Sequence, residues 1–404
     1  LTLKIFKKWG LDAQEIGEIT NTGNMEMFFK KKLVGKLPIK PLADSSPEYN
    51  RPSQKPKKRI IKKSHHKISI KDALIKIISS PNHSSKKWIF NQYDRSVMCD
   101  TIFSSEQADA AVMRIHNSNK AIAITCDCNP IYCNSNPKLG AAIGVAESWR
   151  NLIATGANPI AITDNLNFGN PEKKEIMYQI KEAIQGIKSA CKTLTYPVVS
   201  GNVSFYNQTK EIGIKPTPSI GGVGLIKNYK KMITMDFKEI NNLVLMIGKT
   251  EGHIDQSLFA RIILDEKNGP PPEVNLFNEK NNGESLLNLI EKNYIKSAHD
   301  ISLGGLLTAI SKMCIKGNKG IQLKKSQKLI NEIEYFFAED QGRYIIEINP
   351  KDLKEVVKIL DKNSVYHEEL GVIVEKEMII NEKTKVTIDE LRSYNTNWLI
   401  NYMS

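Results

Sequence analysis

The segment Pro197-Val-Val-Ser-Gly-Asn-Val-Ser-Phe-Tyr-Asn207 constrains this chain more than any other. Its paired β-branched residues, Val198 and Val199, predict the end of a buried strand. Ser200-Gly201-Asn202 then interrupts the apolar run and leaves Gly, Asn and Ser together at a strand's carboxyl end. Glycine lets backbone approach a ligand closely, as a phosphate chain requires. The amide oxygen of Asn202 is a hard donor of the kind Mg²⁺ accepts, and the Ser204 hydroxyl can bond a polar substrate. On spacing alone the same residues serve equally as an ordinary turn.

A second segment, Ala161-Ile-Thr-Asp-Asn-Leu-Asn-Phe-Gly-Asn-Pro-Glu172, repeats the design: an apolar strand running into polar residues and a Gly-Asn-Pro turn. Two strand ends of this kind predict one shared crevice. Asp164 is either an acid facing that crevice or the cap of the turn that follows.

With 404 residues the chain is too long for one ordinary core, and two or three domains are expected. Its 41% apolar and 25% charged residues are those of a globular protein. No apolar run reaches the roughly 18 residues that span a bilayer. The start, with Lys4, Lys7 and Lys8 around Ile5, Phe6 and Trp9, does not read as a signal peptide. The net charge of +13 is partly local, concentrated between Lys55 and Lys67. That run lacks interleaved aromatics or a base-reading motif, so a solvated linker is expected there and not a nucleic-acid site. Cys126, Cys128 and Cys133 lack a fourth ligand at zinc-site spacing and read as free thiols of a reducing cytosol.

Along the chain, residues 2–9 predict a short helix stopped by Gly10, and 15–19 and 25–29 a hairpin about the turn at 20–23. Residues 33–67, rich in Pro, Ser, Lys and Arg, are expected to be an extended basic linker. Between 68 and 215 helical spacing (70–78, 140–151, 175–190) alternates with strands (121–125, 160–162, 198–199), the pattern of an α/β domain. The Pro-Thr-Pro at 216–218 marks a boundary. A further domain over 216–382 is expected to open with strands at 220–226 and 243–248, with helices near 257–264, 284–292 and 304–314. Residues 383–404 read as a polar extension without an assigned place.

Together the two strand-end segments resemble the second half of phosphoribosylformylglycinamidine synthase, whose pattern TDNLNFGNPE…PVVSGNVSxYNxT they follow nearly letter for letter. Ile5-Phe-Lys-Lys-Trp-Gly-Leu-Asp-Ala13, Gln92-Tyr93-Asp94, Val145-Ala-Glu-Ser-Trp-Arg-Asn-Leu152 and Pro216-Thr-Pro-Ser-Ile-Gly-Gly-Val-Gly-Leu225 extend the match. Ala298-His-Asp-Ile-Ser-Leu-Gly-Gly-Leu306 and Glu339-Asp-Gln-Gly-Arg-Tyr344 complete it, so that it covers essentially all 404 residues in order. The resemblance implies an α/β (α+β) fold. A PurM-like N-terminal-type ATP-binding domain (68–215) would be followed by a PurM-like C-terminal-type domain (216–382). Residues 1–32 would be the tail of a preceding domain, and the first half of the family's chain would be absent.

By the same resemblance, Asp164 and Gly201 bind ATP, Asn202 is a magnesium ligand and Ser204 touches the formylglycinamide ribonucleotide substrate. The family's catalytic histidine and most of its metal carboxylates belong to the absent half, so no catalytic residue is expected in this chain. The implied partners are that half, a glutaminase subunit and a small accessory subunit, in the cytoplasm, with neither nucleic acid nor membrane. His299-Asp300 followed by Ser302-Leu-Gly-Gly305 looks like an acid–base pair before a phosphate loop. The family, however, usually has Asp where Leu303 stands, and the loop belongs to a half whose own nucleotide site is structural. Direct nucleotide contact and helix capping both remain open for it. Glu339-Asp340-Gln341 reads either as a diverged substrate holder or as solvated polar residues, and Arg150 either as a phosphate clamp or, better, as the partner of Glu147 at i, i+3. Two other readings compete: a related ATP-dependent synthetase acting alone, and a non-catalytic nucleotide-binding scaffold.

Overall fold

A computed structural model describes residues 1–57, 67–103, 106–324 and 330–404. The chain divides into two compact units, Leu1–Arg51 and Pro52–Ser404. In the first, α1 (Thr2–Lys8) precedes a hairpin of β1 (Asn24–Phe29) and β2 (Lys32–Pro38), followed by α2 (Ile39–Asp44). The chain reverses at Lys30-Lys31, left-handed at φ 46° and 66°, the backbone that a two-residue hairpin turn needs. The hairpin expected about residues 20–23 does not form, because the ladder pairs 24–29 with the chain that follows it, Met25 opposite Leu37. β2 and α2 also occupy the start of the stretch expected to be an extended linker. Residues 58–66, most of its basic run, lie outside the described residues.

The second unit opens with α3 (Ile70–Ile78), capped by the Ser69 hydroxyl, which accepts from the Asp72 amide at 3.1 Å, and the short α4 (Lys87–Phe90). Next come β3 (Thr101–Phe103), β4 (Ala111–Arg114), β5 (Ala121–Asp127), α5 (Pro130–Ser135) and α6 (Pro137–Ala154). β6 (Asn158–Asn167), α7 (Lys174–Leu194) and β7 (Val198–Ser204) follow, then the small pair β8 (Gln208–Thr209) and β9 (Ile212–Gly213), and β10 (Thr217–Ile226). Apart from β8 and β9 these strands form one sheet in the order β3-β4-β5-β10-β6-β7. Only β6 and β7 run parallel, joined by the crossover helix α7. β10, expected to open the following domain, instead inserts between β5 and β6, antiparallel to both. Its alternate residues from Pro218 to Ile226 are buried and those between are half-exposed, the pattern of a strand covered on one face.

The covering layer is α6 and α7. α6 is buried almost throughout because Gly140, Ala141, Ala142, Gly144 and Ala146 let neighbours approach closely. The opposite face of the sheet is open, and Met113 and Ile124 are exposed on it.

The remainder comprises β11 (Leu243–Ile247), α8 (Leu258–Ile262), α9 (Leu276–Glu291), β12 (Ile295–Asp300), α10 (Gly305–Gly317) and β13 (Gly320–Leu323). After these come α11 (Glu332–Phe337), β14 (Tyr344–Ile348), α12 (Leu353–Lys362), β15 (His367–Val374), β16 (Glu377–Ile380), β17 (Thr384–Thr387) and α13 (Ile388–Met403). The second sheet runs β12-β14-β11-β15-β13-β16-β17. Both its faces are covered. Leu245, Ile247 and Ile346 join one core with α6 and the first sheet, while Val244, Met246 and Ile345 join another with α3 and α10. Residues 383–404, unplaced by sequence, supply the edge strand β17 and a helix that buries Ile388, Leu391, Asn395 and Leu399. Among the described residues no helix is long and apolar enough to cross a membrane.

Candidate functional site

β6 and β7 lie in register, with Asp164 opposite Gly201, Asn165 opposite Asn202 and Asn167 opposite Ser204. The predicted strand ends do adjoin, with two differences. β7 does not stop at Ser200 but continues through Gly201 and Asn202 to Ser204. Nor is it buried: as the sheet's edge strand it leaves Val199 70% exposed. Backbone pairing with β6 needs no particular side chain, so glycine and asparagine do not end the strand.

Side chains alternate across a strand, and this separates the four candidate residues into two pairs. Asp164 and Gly201 align with the buried Ile220 of β10, on the face covered by helices. Asn202 and Ser204 align with Asn165 and Ser219, and with Asn167 and Thr217, on the open face. The single crevice expected from sequence is therefore two surfaces that meet at the free edge of β7.

On the covered face, a β-carbon built on Gly201 would lie 2.0 Å from Asp164 Oδ1, so the glycine makes room for a carboxylate of this chain itself. Partial burial pushes the Asp164 pKa up. The neighbouring Cys191 thiol on α7 is pushed up to about 11, by burial first and by the Asp164 charge second. On the open face, Asn207 Nδ2 donates to Ser204 Oγ at 3.0 Å, to the Ser204 carbonyl at 2.9 Å and to the Phe168 carbonyl at 3.0 Å. With the Phe168 amide on the Ser204 carbonyl and the Tyr206 amide on the Gly169 carbonyl, it stitches the Gly169 turn to the end of β7. Sequence reasoning passed Asn207 over. It stands in the matched YNxT letters, and its local signal is an amide side chain three residues beyond the end of β7.

A second constellation lies between the two sheets. Asp109, His299 and Asp300 offer ligand atoms within 4.8 Å of one another. His299 Nδ1 meets Asp109 Oδ1 at 2.6 Å, and the Asp300 amide donates to Asp109 Oδ2 at 3.0 Å. Burial, then the Asp300 charge, pushes Glu147 up to about 7. Burial and Glu147 drive Asp127 well above the usual carboxylate range. Asp127 Oδ2 and Asp300 Oδ2 are buried without a hydrogen-bond partner. Hard oxygen donors with unspent lone pairs fit a small divalent cation. The cluster opens on a cavity of about 300 Å³ whose wall also carries Lys312 and Lys316. The sequence pointed to His299-Asp300, but nothing local brings in Asp109, 190 residues earlier.

Arg150 does not take Glu147 as its hydrogen-bonding partner, as its spacing implied. Its fully buried guanidinium donates to both Glu279 oxygens at 2.9 and 3.0 Å and to Gln341 Oε1 at 3.1 Å. Its Nε lies 3.5 Å from Asp300 Oδ2. A buried guanidinium needs several acceptors, and α9 packed on α6 supplies the better ones. Glu339 and Asp340 are not the solvated residues of the second expectation. Both are buried and spent on backbone amides, Asp340 on those of Glu251 and Gly252 at 2.9 Å each.

Residues 107–226 match the family described as AIR synthase related protein, N-terminal domain, and residues 239–381 match its C-terminal domain. The chain is 57% identical over 404 residues to the phosphoribosylformylglycinamidine synthase subunit PurL of Pelagibacter ubique, covering 99% of this chain and 55% of that one. It is 43% identical over 392 residues to the same subunit of Thermoanaerobacter pseudethanolicus, covering 96% of this chain and 53% of the relative. It thus spans about half the length of the curated relatives it matches. Solved structures share the fold, two of them complexes of one protein. Thermotoga maritima PurL complexed with FGAR has a TM-score of 0.67 at 17% identity, over 81% of this chain and 54% of that one. The same protein complexed with ATP has a TM-score of 0.61 at 18% identity, over 80% and 52%.

Proposed function

This chain belongs to the phosphoribosylformylglycinamidine synthase family, and we propose that it is the C-terminal half of the large synthetase subunit. In that role it supplies the nucleotide-facing strand ends for converting formylglycinamide ribonucleotide, ATP and glutamine-derived ammonia to formylglycinamidine ribonucleotide, ADP and phosphate. The substrate's amide oxygen attacks the γ-phosphorus of ATP and ADP leaves. Ammonia then adds to the iminophosphate carbon, and the original oxygen departs with the phosphate.

The observation that carries this reading is the parallel register of β6 and β7. It sets Asp164 against Gly201 on one face and Asn202 and Ser204 on the other, across a strand whose outer edge no other strand pairs with among the described residues. Asp164 and the Gly201 backbone hold the nucleotide, and Ser204, steadied by Asn207, orients the substrate. Mg²⁺, when bound, neutralises phosphate charge, and the exposed amide of Asn202 offers it one hard oxygen. The catalytic acid–base group comes from the remainder of the relatives' length, and the glutaminase and small accessory subunits deliver ammonia in the cytoplasm.

The test is reconstitution. This chain mixed with the separately expressed other half should turn over ATP, substrate and ammonium, and each half alone should not. Turnover by this chain alone would refute the assignment. ATP binding without any gain on mixing would favour the scaffold alternative.

The cluster of Asp109, His299 and Asp300 motivates a second, structural site for a magnesium-bound nucleotide, with Lys312 on the cavity wall facing its phosphates. Its observation is the buried Asp300 Oδ2, without a hydrogen-bond partner on a residue that lines the cavity. A melting-temperature rise with MgADP that Asp300→Asn abolishes and Asn202→Ala leaves intact tests it separately from the strand-edge site.

A further inference from the structure

The loop Ser302-Leu-Gly-Gly305 at the start of α10 has the composition of a phosphate seat. Gly304 and Gly305, left-handed at φ 80° and 73°, are the cap and first residue of a helix of 13 residues. That seat already holds a carboxyl group of this chain. Glu339, 0% exposed, accepts the Gly304 amide on Oε1 at 2.7 Å and the Leu258 amide, at the start of α8, on the same oxygen at 2.8 Å. Its Oε2 accepts the hydroxyl of buried Tyr132 on α5. The glycines are needed by the protein itself: a β-carbon on Gly305 would lie 2.7 Å from the Ala338 carbonyl oxygen, and one on Gly304 2.7 Å from His83 Nε2.

We propose that Glu339 is a built-in anion, seated at the N-terminus of α10 where a phosphate would otherwise bind and linking that seat to Tyr132 of the preceding domain. The loop is then a joint between the two sheet-bearing domains, closed to external phosphate. One carboxylate satisfies the ends of two helices and a hydroxyl contributed by the other domain. Phosphate reaching the nearby cavity has to be held by side chains, Lys312 foremost because Lys316 is paired with Glu106 at 2.8 Å, and not by this loop's backbone. The proposal stands whether or not a nucleotide occupies that cavity.

The test is chemical rescue of the full chain, followed by thermal melting. Glu339→Ala leaves unpaired amides and a space the size of acetate. It should melt roughly 5 °C or more below the wild type. Sodium acetate should raise the melting temperature of this variant above its value in sodium chloride of equal ionic strength, and should not do so for the wild type. A purely packing role for Glu339 predicts no acetate-specific recovery, so equal shifts in both proteins, or none, would overturn the proposal. Should the alanine variant fail to fold, Glu339→Gln decides. It keeps the shape and loses the charge, so it should melt measurably below the wild type, and equal melting would refute a charged seat.

Discussion

The Gly201 α-carbon lies so close to Asp164 that any β-carbon at 201 would stand 2.0 Å from the Asp164 carboxylate. Residue 201 and the acid of the adjacent strand are one unit. Gly201→Val should therefore displace Asp164 and weaken ATP binding at least ~10-fold in the reconstituted enzyme, about 1.4 kcal/mol. Ser204→Ala, which removes one hydroxyl, should cost only about 0.5–1.5 kcal/mol, seen mainly in substrate affinity. Calorimetric titration with ATP compares the two, and equal nucleotide affinities would contradict this coupling.

Asn202 lies on the other face of β7, with its side chain in solvent. Asn202→Ala should raise the Mg²⁺ concentration needed for half-maximal activity more than it raises KM for the substrate. A magnesium titration at saturating ATP measures this, and an unchanged requirement would reduce Asn202 to an ordinary strand residue.

The Arg150–Glu279 pair is buried on both sides. Arg150→Met alone strands a carboxylate and should destabilise the fold by roughly 3–5 kcal/mol. Adding Glu279→Leu should recover much of that loss, because an apolar pair of similar volume also escapes the desolvation cost. Urea unfolding of the two variants reads this out.

Cys191 ties stability to pH in a definite direction. Its thiol is pushed up to about 11 from an ordinary 9.0. Between these values the unfolded chain gives up the proton and the folded chain keeps it, so stability falls as pH rises through that window. Cys191→Ala should remove part of the fall, roughly 1 kcal/mol after allowing for partial exposure. Denaturation midpoints of both proteins across the window measure the difference. Parallel curves would place the thiol in a more open environment.

Expressed alone, the chain should self-associate. Val199 at 70% and Val203 at 50% exposure line the free edge of β7, and the first sheet's open face carries Met113 and Ile124. An unpaired edge and an apolar face together favour association. Light scattering should find dimers or larger species, and a clean monomer would count against a partner on this face.

Local pattern determined much of this protein. The period of apolar residues marks α3, α6, α7 and β5 because each period reports only a backbone's own geometry. The polar letters at 163–172 and 200–207 identify the family. Tertiary structure decided what no window of neighbours contains. β10 enters the first sheet because hydrogen bonding to β5 and β6 is set by strand order, to which its own residues are indifferent. Asp164 and Asn202 face opposite sides because parallel register combines with strand alternation. Arg150 takes Glu279, and Glu339 takes Gly304, Leu258 and Tyr132, because a buried charge is satisfied by whichever donors or acceptors packing brings within hydrogen-bond reach, however distant in the chain.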